Sequence, residues 1–202
     1  MVILEGVVTT ISAEGTVNIA PMGPQVGATL ERFVLRPFRT SQTFANLKAW
    51  GEGVFHVTDD VLLLARAALG MVDPVPRLVP AARVRGSRLA DCCRYHEFRV
   101  GALDDRDERT RIDVEVVHTG RVRDFFGFNR AKHAVVEAAI LATRTAFLPL
   151  DEIDAEYRKL AVLVEKTGGE QEHEAFDLLR QHIVREQEKR AQARAAVPCS
   201  ED

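Results

Sequence analysis

Two long stretches in the middle of the chain alternate between apolar and polar positions. They are Cys93–Leu103 and Thr110–Phe125, and in the second Ile112, Val114 and Val116 fall on one face. A period of two residues is that of a β-strand with one buried face. The charged segment between the two stretches is short, so the pattern predicts a hairpin of two long strands.

Shorter stretches rich in β-favouring residues occupy much of the chain before this hairpin. They predict four further strands: Val2–Ile11, Thr16–Ala20, Gly27–Leu35 and Val54–Val57. Two short helices are predicted among them, Gln42–Trp50 and Val61–Leu69, and glycines follow both.

From Asn129 onward, apolar residues recur every three to four positions, which is the period of a helix. Three helices are predicted: Arg130–Phe147, Asp151–Lys166 and Glu170–Gln192. Strands first and helices last indicate an α+β fold, because a parallel α/β sheet would alternate the two. We therefore predict a β-rich domain at 1–126, a helical subdomain at 127–192 and a disordered tail at 193–202.

The segment Asn18–Gly23 continues the second strand but contains residues that disturb a β-ladder. Pro21 cannot donate a backbone hydrogen bond, and Gly23 and Pro24 follow closely. The pattern predicts a strand that bulges or leaves the sheet edge, which would expose backbone N–H and C=O groups. A plain loop explains the same residues, so both interpretations stay open.

The segment Arg36–Leu47 lies between a predicted strand and a predicted helix. It combines two arginines with three hydroxyl groups at the point where the helix begins: Arg36, Arg39, Thr40, Ser41 and Thr43. A helix N-terminus presents unpaired N–H groups and partial positive charge, so these residues are suited to a phosphate. The alternative is that Ser41 is an ordinary N-cap and the arginines are solvated.

Composition narrows the function classes. The net charge is −3 and only 6% of the 202 residues are aromatic, which argues against a nucleic-acid partner. The longest apolar-rich run is too short and too charged to span a membrane. The three cysteines form no Cys-x-x-Cys pair, so we expect no metal site and a reduced, cytoplasmic protein. The N-terminal residues lack the pattern of a signal peptide.

No familiar catalytic pattern is present. The chain lacks a Gly-x-Ser-x-Gly nucleophile turn, a Walker loop and a Gly-x-Gly-x-x-Gly fingerprint. No pair of its six histidines has the spacing of a helical metal site, and His56 has slightly more weight because it follows the phosphate-like segment. The catalytic residues are therefore unknown.

Together, the two polar segments suggest one ligand. Exposed backbone groups at Asn18–Gly23 suit a flat polar ring, and the turn at Arg36–Leu47 suits a phosphate. FMN has both parts.

The same segments resemble a known superfamily. In order, Asn18–Gly23, Arg36–Leu47 and Val54–Asp60 resemble the FMN-binding split-barrel proteins, which include flavin reductases. Within that superfamily the chain resembles the DUF447 family of unknown function, whose C-terminal part is similar to Phe128–Ile140. The resemblance extends from about Leu4 to Ile183.

This resemblance implies a Greek-key-like split β-barrel and a homodimer with FMN near the interface. It implies that the phosphate binds at the hydroxyls with Arg36 or Arg39, and that the ring lies along the second strand. The candidate cofactor residues of the two segments are Asn18, Ala20, Pro21, Met22, Gly23, Arg36, Arg39, Thr40, Ser41, Thr43 and Asn46.

Two basic residues at the start of the first C-terminal helix are further candidates. Arg130 and Lys132 place positive charge at a helix N-terminus, which is mildly unfavourable and hints at an anionic partner. The alternative is a solvated first turn.

Three functions remain open from the sequence. The first is an FMN-dependent oxidoreductase of the flavin reductase type, with an unknown substrate and electron donor. The second is a module that binds FMN or another phosphate-bearing ligand without turnover. The third is a structural dimer without a ligand.

Overall fold

Strands dominate the first two thirds of the chain and helices the last third. The computed structural model describes residues 1–195 and the side chains of residues 1–193, so most of the predicted disordered tail lies outside the described residues. The strands are β1 (Val2–Ile3), β2 (Gly6–Ile11), β3 (Val17–Met22), β4 (Gln25–Val26), β5 (Arg32–Leu35), β6 (Glu52–Val57), β7 (Leu78–Pro80), β8 (Ser87–Leu89), β9 (Arg94–Asp104) and β10 (Arg111–Arg121). The helices are α1 (Gln42–Trp50), α2 (Val61–Ala68), α3 (Arg130–Ala142), α4 (Leu150–Thr167) and α5 (Glu170–Ala195).

Eight of the strands form one antiparallel sheet in the order β1-β4-β5-β10-β9-β6-β2-β3. One face of this sheet is apolar: Val8, Phe33, Phe55, Phe98 and Ile112 come from five of its strands and form a single buried cluster. Side chains of so many neighbouring strands meet only if the sheet curls around them, as in a barrel. Phe44 and Leu47 of α1 join the same cluster.

The predicted central hairpin is present as β9 and β10, paired from Arg94↔Arg121 to Asp104↔Arg111. One predicted strand is divided and another is shortened. Val2–Ile11 divides into β1 and β2, and the predicted strand Gly27–Leu35 begins only at Arg32. The shortening follows from Leu30, whose φ of 54° is outside the β region.

The predicted irregularity at Asn18–Gly23 is wrong for the strand itself. β3 pairs with β2 in continuous register from Ile11↔Val17 to Gly6↔Met22. Pro21 is tolerated because β3 is the edge of the sheet within residues 1–195, and an edge strand has one side without ladder hydrogen bonds. The register shifts of the sheet occur between β9 and β10 instead.

The structure divides the chain into two compact units. One comprises residues 1–60 and 72–126, and the other comprises residues 61–71 and those from 127 onward. In the second unit, small residues of α3 such as Ala134 and Ala138 form a buried core with Leu64, Ile153 and Leu179. The predicted boundary at residue 126 stays a prediction, but no sequence pattern indicated that residues 61–71 group with the C-terminal helices.

Candidate functional site

Ser41 caps the N-terminus of α1, as the sequence predicted for an ordinary N-cap. Ser41 is extended (φ −79°, ψ 149°), and its Oγ accepts a hydrogen bond from the Phe44 amide at 3.2 Å. The first turn contains no acidic residue. The amides of a first helical turn lack intrahelical acceptors, so this end carries partial positive charge with no carboxylate of its own to balance it.

The tip of the central hairpin fixes the turn that leads into α1. The Arg39 amide donates to the Glu108 carbonyl at 2.9 Å, and the Thr110 amide and hydroxyl donate to the Pro37 carbonyl at 3.0 and 2.8 Å. The turn therefore does not depend on α1 alone for its position.

Three predicted residues meet in a polar cluster between β2, β3 and α1. Asn18 Nδ2 donates to Thr43 Oγ1 at 3.0 Å, and Asn46 Nδ2 donates to Thr10 Oγ1 at 2.9 Å. Gln42 Nε2 in turn donates to Asn46 Oδ1 at 2.7 Å. These bonds link the predicted ring segment to the predicted phosphate turn.

Thr10 belongs to this cluster but was not among the site residues predicted from the sequence. It is 3% exposed and its hydroxyl accepts from Asn46 and, at 3.4 Å, from Asn18. It lies directly across the β2–β3 ladder from Asn18. The predicted hairpin contained this information, because a cross-strand pair places its side chains on one face.

The remaining residues of the phosphate turn are exposed. Arg36 is exposed, and among the described residues its side chain has no hydrogen bond or ion pair. Arg39 is exposed and donates to the Asp105 carbonyl at 3.4 Å, and Thr40 is exposed beside it. Asp105 itself is paired with Lys48 at 2.7 Å. The turn therefore offers guanidinium and hydroxyl groups to an anion.

The predicted ring segment forms the edge of the sheet. Ala20, Pro21 and Met22 of β3 are all half-buried. Gly23 follows the strand, and a Cβ placed there would lie 2.8 Å from both Glu5 carboxylate oxygens and from Ile3. A side chain at this position would have to displace them.

Arg130 and Lys132 belong to the second unit. Arg130 is exposed and, within the described part of the chain, forms no side-chain hydrogen bond or ion pair. Lys132 Nζ donates to Glu172 Oε1 at 2.7 Å and to Gln171 Oε1 at 3.2 Å. Its charge is therefore balanced inside this unit. Whether either residue also contacts a cofactor stays a prediction.

His56 stabilises the fold. It is completely buried, its Nδ1 lies 3.1 Å from the Val7 carbonyl, and its Nε2 accepts from the Leu89 amide at 3.1 Å. Burial lowers the pKa of His56 to about 4, so the ring is neutral at pH 7. Both ring nitrogens are used by the backbone, which leaves neither for a ligand.

A charged network anchors the chain after β10. Arg123 donates to both carboxylate oxygens of Asp59, at 2.6 and 3.0 Å, and to Asp91 at 2.6 Å. Asp59 also accepts from the Phe126 amide at 2.7 Å. The Arg123 guanidinium holds the pKa of Asp59 at about 2. No sequence pattern predicted this network.

Metal binding has no structural support in residues 1–193. No group of three or more His, Cys, Asp or Glu side chains among them could hold an ion. In the hairpin tip, Asp104 is paired with Arg106 at 2.6 Å. No helix among the described residues has the length and apolar character needed to cross a membrane.

Family models match most of the chain. Residues 4–123 match the model described as the N-terminal domain of a protein of unknown function (DUF447), and residues 129–181 match the second model of that family. A search among curated proteins found no significant match.

Solved structures resemble the fold. The FMN-bound protein MM1853 from Methanosarcina mazei, also assigned to DUF447, is 23% identical, with a TM-score of 0.77 over 89% of this chain and 94% of its own. The 2-nitrobenzoate 2-nitroreductase NbaA of Pseudomonas fluorescens (20% identity, TM-score 0.50) covers 58% of this chain and 64% of its own. The NADH:FAD oxidoreductase SgcE6 of Streptomyces globisporus (14%, 0.50) covers 60% and 72%. These likenesses confirm the predicted α+β split-barrel fold.

Proposed function

The chain belongs to the DUF447 family, and from that premise we propose that it binds FMN and is a flavin reductase-like protein whose substrate is unknown. The main support is the junction of β3 with α1. There Asn18, Thr43 and Asn46 are joined by hydrogen bonds beside a helix N-terminus that lacks acidic residues. A relative of the same family and fold, MM1853, was crystallised with FMN bound.

The residues of the turn fit the chemistry of a phosphate. The hydroxyls of Thr40, Ser41 and Thr43 and the amides of α1 would hold the phosphate oxygens, and Arg36 and Arg39 would balance their charge. The exposed edge of β3 would present backbone groups to the polar side of the ring. When bound, FMN supplies electron or hydride transfer, so the protein needs only to hold and orient it.

Binding is tested by titrating purified protein with FMN and following flavin fluorescence and visible absorbance. The variant is Ser41→Gly with Thr43→Val, because glycine retains most of the N-cap preference and valine fills the volume of threonine. Loss of two charge-assisted hydrogen bonds, together about 3 kcal/mol, predicts roughly 100-fold weaker binding.

Thr143→Ala, at the end of α3, is the matched control and should bind FMN like the wild type. Thermal melting of each variant separates loss of the ligand from loss of the fold. A wild-type protein that takes up no FMN, or a folded double variant with unchanged affinity, would contradict the proposal.

Turnover separates a reductase from a passive binding module. We expect NADH or NADPH to bleach the bound flavin under anaerobic conditions, and oxygen to restore its colour. Tight FMN binding without reduction by either nucleotide would support the binding module instead.

A homodimer is the second part of the proposal. Asp59 and Arg123 hold the backbone after β10, and this arrangement leaves Phe125 47% and Phe126 74% exposed beside Val122 at 42%. Adjacent exposed aromatic residues on a rigid segment are typical of an interface.

The proposed location is the cytoplasm, in agreement with the free thiols of Cys92 and Cys93.

Light scattering after gel filtration tests the dimer. Phe126→Asp should convert a wild-type dimer to a monomer, because it places a charge in a desolvated interface. Val75→Asp is the control, since Val75 is 64% exposed outside this patch. A monomeric wild-type protein at high concentration would refute this part.

A further inference from the structure

A cavity of about 360 Å³ lies beside the β9–β10 pair, and none of its lining residues belongs to the proposed cofactor site. Among its lining residues are Leu30, Arg94, His96, Val116 and Thr119. A neighbouring cavity of about 260 Å³ shares Leu30 and Arg94 with it. We call the larger cavity the His96 cleft.

His96 is the unusual residue of this cleft. It is 3% exposed, and its Nδ1 lies 3.0 Å from Thr119 Oγ1. Its Nε2 is buried and has no hydrogen-bond partner among the described residues. Buried polar atoms are rarely left without a partner. A bound ligand that accepts a hydrogen bond from His96 Nε2 would supply the missing partner.

Two backbone irregularities shape the same place. The register between β9 and β10 shifts between Val116 and His118, and beyond the shift Thr119 lies directly opposite His96. Leu30 has a φ of 54°, which is rare for a residue with a branched side chain. Bulges and strained residues of this kind are concentrated at functional sites.

The cleft contains one arginine that can pair with an anion. Arg94 is exposed and, among the described residues, has no ion pair or side-chain hydrogen bond. Burial, aided by the Arg94 guanidinium, lowers the pKa of His96 to about 4, so its ring is neutral at pH 7. The carboxylate of Glu31 and the ring of His118 also line the cleft, and the carboxylate disfavours highly charged anions.

We propose that the His96 cleft binds a small monocarboxylate with an apolar body. Thr119 donates its hydroxyl hydrogen to His96 Nδ1, which leaves the Nε2–H to donate to a carboxylate oxygen. Arg94 balances the charge, and Leu30 and Val116 contact the apolar body.

This site is separate from the α1 turn. The turn contacts the tip of the hairpin, where Thr110 donates to Pro37, whereas His96 is eight positions from Asp104 along β9. At about 3.3 Å per residue, this places the cleft roughly 25 Å from the tip end of the strand. The proposal therefore does not rest on FMN binding.

The test uses the full-length chain and benzoate as the probe, with the imidazole signals of the histidines followed by NMR. We expect a saturable shift of the His96 signals with a Kd on the order of millimolar, as for a fragment of this size. Arg94→Gln, which changes only an exposed residue, should weaken binding about 10-fold or more. His96→Gln should do the same, and because this variant lacks the His96 signals, its binding is followed at His118, which also lines the cleft. His173→Gln, an exposed histidine of α5, is the control and should bind as the wild type does.

Benzamide, a neutral molecule of the same shape, should bind at least about 10-fold more weakly than benzoate. Equal binding of benzamide, or the absence of a saturable shift at His96, would overturn the proposal. The titration is repeated with FMN at saturation. Competition between FMN and benzoate would overturn the claim of a separate site, whereas unchanged benzoate affinity would support it.

Discussion

The N-termini of α1 and α3, both predicted from the sequence as candidate anion sites, have similar caps. They differ in whether a nearby basic residue has an acidic partner. Each begins with a polar cap, Ser41 in α1 and Asn129 in α3, whose side chain accepts from an amide of the first turn. Each has basic residues close by. In α3, however, Lys132 has Glu172 at 2.7 Å, whereas Arg36 near α1 has no such partner within the described residues.

This difference separates an internal ion pair from a candidate ligand site. At α3 the chain itself supplies the anion that the basic residue requires. At α1 no such acid is paired with Arg36 among the described residues, and the hydroxyl of Thr43 accepts from the neutral side-chain amide of Asn18. Two similar sequence patterns therefore predict different roles once acids distant in the sequence are included.

The largest effect that would sharpen this comparison is expected at Glu172. Glu172→Gln keeps an acceptor for the Gly169 amide but removes the charge opposite Lys132, whose side chain is only 14% exposed. An unbalanced, mostly buried ammonium should lower the free energy of unfolding by about 2–3 kcal/mol. Urea unfolding measures this loss, and FMN affinity of the folded variant should be unchanged.

The effect of Glu172→Gln should also depend on pH. Burial alone would raise the pKa of Glu172, but hydrogen bonds from Lys132 and the Gly169 amide hold it below its ordinary value. The stabilisation is therefore present above the ordinary pKa and is lost as pH falls through the lowered one, so the stabilities of the two proteins should converge at pH values below the lowered pKa. Glu156→Gln, in an exposed pair with Lys159, is the control, with an expected change below about 0.5 kcal/mol. If FMN affinity fell instead of stability, Lys132 would be a cofactor residue.

A smaller effect is expected at α1. Arg36→Ala should weaken FMN binding about 5- to 10-fold, because one exposed guanidinium–phosphate contact contributes about 1 kcal/mol. Stability should not change, since the side chain has no partner in the described structure. Isothermal titration at low and high salt measures the effect, and the difference from the wild type should shrink at high salt.

Arg32→Ala is the matched control for Arg36→Ala. Arg32 is an exposed arginine on β5 that already pairs with Glu115 at 3.0 Å. An equal loss of FMN affinity in both variants would indicate a general charge effect and would remove Arg36 from the site.

The features that could be predicted from the sequence were those with local causes. The alternation of Ile112 and Val114 predicted β10, and Ser41 predicted the start of α1, because period and capping depend on neighbours in the chain. The bulge predicted from Pro21 was wrong, since whether a proline disturbs a ladder depends on whether its strand is at the edge. Edge position is a property of the whole sheet.

The features that could not be predicted involve residues far apart in sequence. Glu172 is 40 positions from Lys132, and Asp59 is 64 from Arg123. Nothing in the local pattern indicates which acid meets which base. His96 is similar, because its Nε2 is notable only for having no hydrogen-bond partner among the described residues, which the sequence does not reveal.

The smallest expected effect is at Arg130, the first residue of α3. Its side chain is exposed and unpaired among the described residues, and positive charge at a helix N-terminus is slightly unfavourable. Arg130→Ala should therefore leave stability unchanged or raise it by up to about 0.5 kcal/mol, as measured by thermal melting. If Arg130 were a solvated residue, FMN affinity would be unaffected. A loss of affinity comparable to that of Arg36→Ala would show that α3 takes part in cofactor binding, and the contrast between the two helices would then apply to Lys132 alone.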